Sequence, residues 1–131
     1  MTINQPDIIF SDWILWHQRD NLSELGYPGV YLLAHFETAP SQIDLQAQEI
    51  VYIGETSANL KQRLNQFRAD SHSGGITYRK QYGKRFDDLY VSMFPVALPK
   101  DTAPFFIRYV ERKLLWDYIL RWGQPPSCNR K

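Results

Sequence analysis

Residues 29–36 read GVYLLAHF and residues 49–54 read EIVYIG, and these two runs decide the fold. Val30 to Phe36 is β-branched, aromatic and aliphatic almost throughout, and Glu49 to Ile53 reads likewise, the composition of buried strands. Tyr27-Pro28-Gly29 forms a turn before the first run, Gly54 ends the second, and a polar stretch separates them, so a hairpin is predicted. A third strand is expected from Asp88 to Pro95 (DLYVSMFP). Between the second and third strands, Thr56 or Ser57 is placed to cap a helix over Ala58 to Arg68, with Leu60, Leu64 and Phe67 on one face. Residues 70–87 lose periodicity and read as a long loop or a poor helix. The last element is a helix from Pro104 to Trp122, with Ile107, Val110, Leu114, Leu115 and Tyr118 in register and Gly123 and Pro125-Pro126 as stops. Upstream, Asp7 to Trp16 is aromatic without a deciding period, and Asn21 with Glu24 resembles a capping box opening one helical turn. The order strand, strand, helix, strand, helix predicts an α/β chain of α+β type with a small three-stranded antiparallel sheet.

A chain of 131 residues has room for one domain. Residues 1–27 read as a lead-in segment packed on the core and 28–131 as the domain proper. The hydrophobic fraction of 44% and charged fraction of 22% exclude a disordered chain. The single cysteine, Cys128, excludes an intrachain disulfide and a Cys-type zinc site. No run approaches the roughly 18 apolar residues of a membrane span, and the N-terminus lacks a basic leader, so a soluble, intracellular and cytoplasmic protein is expected. The net charge of +1 conceals a division: residues 1–55 carry one base against eight acids, and residues 56–131 carry fourteen bases against six acids. The second part offers a basic face for phosphates, unless the two parts simply neutralise each other.

Two charges fall where a core should be. At about 100° per residue, Arg63 lies within the Leu60–Leu64–Phe67 stripe, and Glu111 lies within the stripe of the final helix. A lone buried charge costs several kcal/mol, roughly, so each needs a partner, an ion or a ligand. Two readings follow: an internal Arg63–Glu111 salt bridge, or a cleft in which one helix offers a cation and another a carboxylate.

Gly29-Val30-Tyr31, Tyr52-Ile53-Gly54, Arg63 beyond that glycine, Glu111 on a late helix and Asn129 after it together resemble the GIY-YIG nuclease superfamily, in the form of a small stand-alone domain. The resemblance spans about residues 28–131 and implies divalent-metal-dependent hydrolysis of DNA phosphodiesters, with Mg²⁺ or Mn²⁺ as cofactor. It implies that Tyr31 and Tyr52 are the site tyrosines, one of them deprotonating or orienting the attacking water. By the same resemblance Arg63 holds the scissile phosphate, Glu111 ligates the metal and Asn129 supports the site, while Gly29 and Gly54 are geometric. The residue types suit the chemistry. Mg²⁺ prefers oxygen ligands and often takes only one or two carboxylates, and arginine offers phosphate a planar fork of donors at any relevant pH. Relatives often carry His or Tyr one helical turn after the arginine, whereas this chain has Phe67. That departure supports an alternative, an inactive nucleic-acid-binding module.

Residues 78–85 (YRKQYGKR) interleave four cations with two tyrosines, suited to phosphate contact and base stacking or, otherwise, to a solvated loop. Arg79, Lys80, Lys84 and Arg85, with Arg63 and with His72 beside the Ser/Gly run, are therefore the expected nucleic-acid contacts. His35 shares the strand face of Tyr31 and stands near the site or caps the strand. The expected partner is DNA, together with a second copy or a specificity partner, since the chain carries no separate recognition module.

Overall fold

Gly29–His35 forms the strand on which the rest is built, for it alone has long strand neighbours on both edges. The computed structural model describes residues 4–68, 73–83 and 86–130, and its class is α+β. The strands are β1 (Ile14–Leu15), β2 (Gly29–His35), β3 (Ile50–Thr56) and β4 (Leu89–Pro95), all antiparallel, in the order β1-β4-β2-β3. The sheet thus has four strands where the sequence predicted three. The added strand comes from the Asp7–Trp16 run, whose Ile14 and Leu15 pair with Val91 and Tyr90. That run has no clear period because it passes from one side of the sheet to the other: Phe10 and Trp13 join one core and Trp16 the other.

The expected helical turn at Asn21–Glu24 is replaced by a six-residue 3₁₀ helix, Trp16–Asn21, and Glu24 adopts a left-handed φ of 64°. Helix α1 (Leu60–Arg68) begins after Asn59, whose Oδ1 accepts the Gln62 N–H at 2.7 Å, so Asn59 caps it instead of Thr56 or Ser57. Its first free donors are taken by the lead-in segment: Leu60 N–H bonds Tyr27 O at 2.9 Å and Lys61 N–H bonds Leu25 O at 3.0 Å. Helix α2 (Ser73–Tyr82) occupies the stretch without apolar period. It forms through close packing, since a Cβ at Gly75 would collide with the carbonyl oxygen of Phe67. Helix α3 (Ala103–Trp122) carries Pro104 in its first turn and ends at Gly123, φ 87°, whose N–H reaches Ile119 O at 2.7 Å.

Two cores result, one on each face of the sheet. Val30, Leu32, Ala34, Ile50 and Ile53 meet Ile107, Val110, Leu114 and Tyr118 of α3. On the opposite face, Tyr31, Leu33 and Val51 meet Leu60, Leu64 and Phe67 of α1 and Tyr78 of α2. The outer side of α3 leaves Phe105, Tyr109, Trp116 and Leu120 exposed. Among the described residues, no helix is long and apolar enough to cross a membrane.

Candidate active site

The β2–β3 ladder sets Tyr31 opposite Gly54 and Tyr52 opposite Leu33, which puts both tyrosines on the α1 side of the sheet. Their rings lie 5.9 Å apart. Gly54 makes room for them, because a Cβ there would stand 2.5 Å from Tyr31 Oη and 2.6 Å from Tyr52 Cε2. Gly29 serves the backbone instead, as a Cβ there would strike the carbonyl oxygen of Phe94 on β4. Tyr31 is fully buried, while Tyr52 is half-buried.

Arg63, in the stripe of α1 that faces the sheet, is near enough for its charge to act on both phenols. The two phenols also act on each other, which adds to the rise at Tyr31 and opposes it at Tyr52. Arg63, Tyr31 and Tyr52 thus form one electrostatic group. Burial holds both phenols above their ordinary range, Tyr31 by more, and the Arg63 charge opposes this in each. Arg63 Nη1 also approaches Gln66 Oε1 at 3.4 Å, while its Nε is buried and has no partner.

Glu111 projects half-buried from α3. Burial raises its carboxyl, the neighbouring Glu55 raises it further, and Arg112 and Arg63 pull the other way. Its charge is felt at Tyr52 as well. Among the described residues the ion pairs are His17–Asp87, His35–Asp88, Lys113–Asp117 and Arg121–Asp44, and none joins Arg63 to Glu111. Topology accounts for the gap. Facing inward from α1 and facing inward from α3 mean opposite faces of one sheet, so the two side chains sense each other only around β3, its terminal strand. On the outer edge of that strand Asn129 clamps Ile53, accepting its N–H and donating to its C=O, both at 2.9 Å. The clamp falls on the residue between Tyr52 and Gly54.

The other sequence-predicted residues stand apart from this group. Phe67 is fully buried, its ring 5.4 Å from that of Tyr52. Arg79 donates to Phe67 O at 3.3 Å and Lys80 is exposed, both on α2. Tyr78 and Tyr82 do not form a stacking platform for bases: Tyr78 is fully buried, and Tyr82 bonds Ser127 Oγ at 3.0 Å and lies against His35. His35 ties the second core together, with Nδ1 3.2 Å from Asp88 Oδ1 and Nε2 3.0 Å from Tyr78 Oη. His72, Lys84 and Arg85 lie outside the described residues.

Glu55, which directly follows the Tyr-Ile-Gly run, was not singled out by the sequence reading. Its only signal was an acid at the end of an apolar strand, a position that also suits a solvated loop. No three His, Cys, Asp or Glu side chains converge into a metal-binding group among the described residues. Glu111 and Glu55 nonetheless suit a hard divalent cation that keeps most of its waters, because two oxygen ligands with mutually repelled charges gain from a cation between them. Comparison with protein-family models, curated proteins and solved structures finds no match.

Proposed function

We propose that the chain is a divalent-metal-dependent endonuclease that hydrolyses DNA phosphodiester bonds on a GIY-YIG-like scaffold. The observation that carries this reading is an arginine and a glutamate that both act on Tyr52, one of two adjacent tyrosines, without pairing with each other. A structural role for these charges would be met by closing the ion pair, whereas the open arrangement suits a phosphate and a cation. Arg63 binds the scissile phosphate through its guanidinium fork. Tyr52, the more accessible phenol, orients the attacking water and takes its proton only as the phenolate, which the Arg63 charge favours against burial. Tyr31 packs against Tyr52 and positions it. Glu111, with Glu55 beside it, would hold Mg²⁺ or Mn²⁺, which supplies positive charge for the phosphate and a lowered pKa for a bound water. Asn129 keeps β3, and hence Tyr52, in register.

One observation favours a second reading, a nucleic-acid-binding module without turnover. Phe67 is buried one helical turn beyond Arg63, where the resemblance expects a His or Tyr. Nicking of supercoiled plasmid, followed with Mg²⁺, with Mn²⁺ and with chelator, separates the two. Metal-dependent nicking that is lost in Glu111→Gln while DNA is still retained supports the enzyme. Retention without nicking in any metal supports the module, and failure to bind DNA refutes both.

A further inference from the structure

Helix α3 is apolar on two sides. Ile107, Val110, Leu114 and Tyr118 enter the first core, and nearly opposite them Phe105, Tyr109, Trp116 and Leu120 stand 73%, 48%, 58% and 65% exposed. Four of the seven large apolar side chains exposed among the described residues thus fall on one helix. At about 100° per residue the four lie within about 60° of one another, so they form a single stripe. A helix that is apolar all round is ordinarily buried, and here one side has no cover within the chain. With side chains that can each bury roughly 150–250 Å², the stripe amounts to about 500 Å², near the upper end of the largest patch on a typical monomer. Arg108, Arg112 and Lys113, all exposed, border it and bring the face toward the ~800 Å² that each partner gives to a stable interface.

The spacing identifies the occupant. Positions 105, 109, 116 and 120 are separated by four, seven and four residues, an order that reads the same from either end. An isologous contact requires that symmetry, since residue i of one copy meets j of the other where j meets i. A second copy laid antiparallel, with the twofold axis beside Arg112 and Lys113, sets Phe105 opposite Leu120 and Tyr109 opposite Trp116 at both ends of the contact. A lipid surface or a nucleic-acid strand imposes no such palindrome. The like charges that meet at the axis are each offset. Lys113 holds Asp117 at 2.7 Å on its own helix. Arg112 falls about 4.5 Å along the axis from Trp116 of the second copy, within reach of the indole face for a cation–π contact.

We infer that the outward side of α3 is a homodimer interface in which two copies of the helix pack antiparallel. Glu111 lies about 150° around the helix from the middle of the stripe, so the pairing does not cover it, and each dimer carries two candidate sites. The inference stands apart from the nuclease reading, since neither the stripe nor its symmetry involves the tyrosines or Arg63.

The test is sedimentation equilibrium of the full chain over roughly 1–100 μM, a range set by the μM or tighter affinity of interfaces this size. Wild type should approach twice the 15.4 kDa chain mass. Tyr109→Glu and Trp116→Glu should each weaken association by about 30-fold or more, as loss of an aromatic anchor does. Both side chains are exposed, so both variants should melt with wild type measured where it is monomeric. Orientation is read from single cysteines in a Cys128→Ala background under mild oxidation. Arg112→Cys, beside the axis, should form a disulfide with its own copy, whereas Phe105→Cys, whose two copies stand about 22 Å apart along the axis, should not. A wild type that stays monomeric throughout the range overturns the inference. So does a dimer that both glutamate variants leave intact, or one that links through Phe105→Cys and not through Arg112→Cys. Monomeric wild type that binds anionic vesicles or single-stranded DNA through Trp116 overturns it in favour of that occupant.

Discussion

The strongest single perturbation is one methyl group at Gly54, compared with the same methyl at Gly29. In Gly54→Ala the new Cβ would fall 2.5 Å from Tyr31 Cζ and Oη and 2.6 Å from Tyr52 Cε2, so relief must come from the two phenols. Overpacking of this kind costs about 1–3 kcal/mol. At about 3–5 °C per kcal/mol for a chain this size, the melting temperature falls by about 3–15 °C. A domain stable by about 5–15 kcal/mol remains folded at 25 °C after such a loss. In Gly29→Ala the obstacle is the Phe94 carbonyl, so relief requires β2 and β4 to separate, and the cost is about 3 kcal/mol or more. The two variants therefore invert across assays. Thermal melts should rank Gly29→Ala as the more damaged, while single-turnover nicking at 20 °C should show a loss of about 100-fold in Gly54→Ala, the effect of moving a reacting group by about 1 Å. Tyr31→Phe removes the nearest phenol oxygen, so Gly54→Ala should cost less in that background, with a coupling of at least about 0.5 kcal/mol. Wild-type nicking by Gly54→Ala, or a Gly54→Ala protein less stable than Gly29→Ala, would refute the role given to the phenols.

Three other outcomes follow from the same geometry. Asn129→Ala removes both bonds to Ile53 and should cost about 1–3 kcal/mol in urea unfolding; a change under about 0.5 kcal/mol would mean that the clamp carries no stability. Glu111→Gln should stabilise the metal-free protein. The carboxyl is raised in the fold, chiefly by burial and then by Glu55, so the wild type is unpenalised below its unfolded pKa and loses stability as pH rises through the folded one. The variant's advantage should therefore be near zero at pH 4 and grow as the pH rises to 8, where Mg²⁺ at a hundred times its dissociation constant should add about 2.7 kcal/mol to the wild type alone. An advantage that shrinks with rising pH would contradict the placement of Glu111. Cys128 is buried, with its thiol pushed up to about 11, so a thiol reagent at pH 8 should label it only as the C-terminal turn opens, and faster in Asn129→Ala; equal, rapid labelling of both would show that the turn is not docked.

The long strands were legible in the sequence because burial on both faces leaves an apolar run that few other environments tolerate. The fourth strand was not, because Ile14–Leu15 is two residues long and Phe10 and Trp13 before it, an odd number of residues apart, serve the same core, which erases any period of two. Helix α2 was hidden for a related reason: its stability comes from Gly75 against α1 and from Tyr78 in the second core, which are tertiary contacts without local signature. Of the candidate site, the inward setting of Arg63 and Glu111 could be read from helical period. Their relation could not, since period gives the direction of a side chain relative to its own helix and says nothing of which face of the sheet that helix covers. Glu55 escaped notice because its meaning arises only when α3 brings Glu111 beside it.

That relation bears on what the charges cost. An Arg63–Glu111 pair closed within one core would neutralise itself and need nothing further. Placed on either side of a terminal strand, the two side chains leave a buried Nε without a partner and a carboxyl raised by burial and by a second acid. Both conditions destabilise the chain alone, and on the proposed reading both would be relieved by the same event, the arrival of a phosphate with a divalent cation. The edge of a sheet is where such an arrangement can persist, because side chains from both faces reach it and solvent does too. It is also where an unpaired ladder invites a foreign strand, a hazard that Asn129 reduces by occupying the Ile53 amide and carbonyl. Stability withheld at the edge of β3 is thus the physical counterpart of binding there, and a ligand that carries both charges should restore more than the sum of what phosphate and cation restore separately.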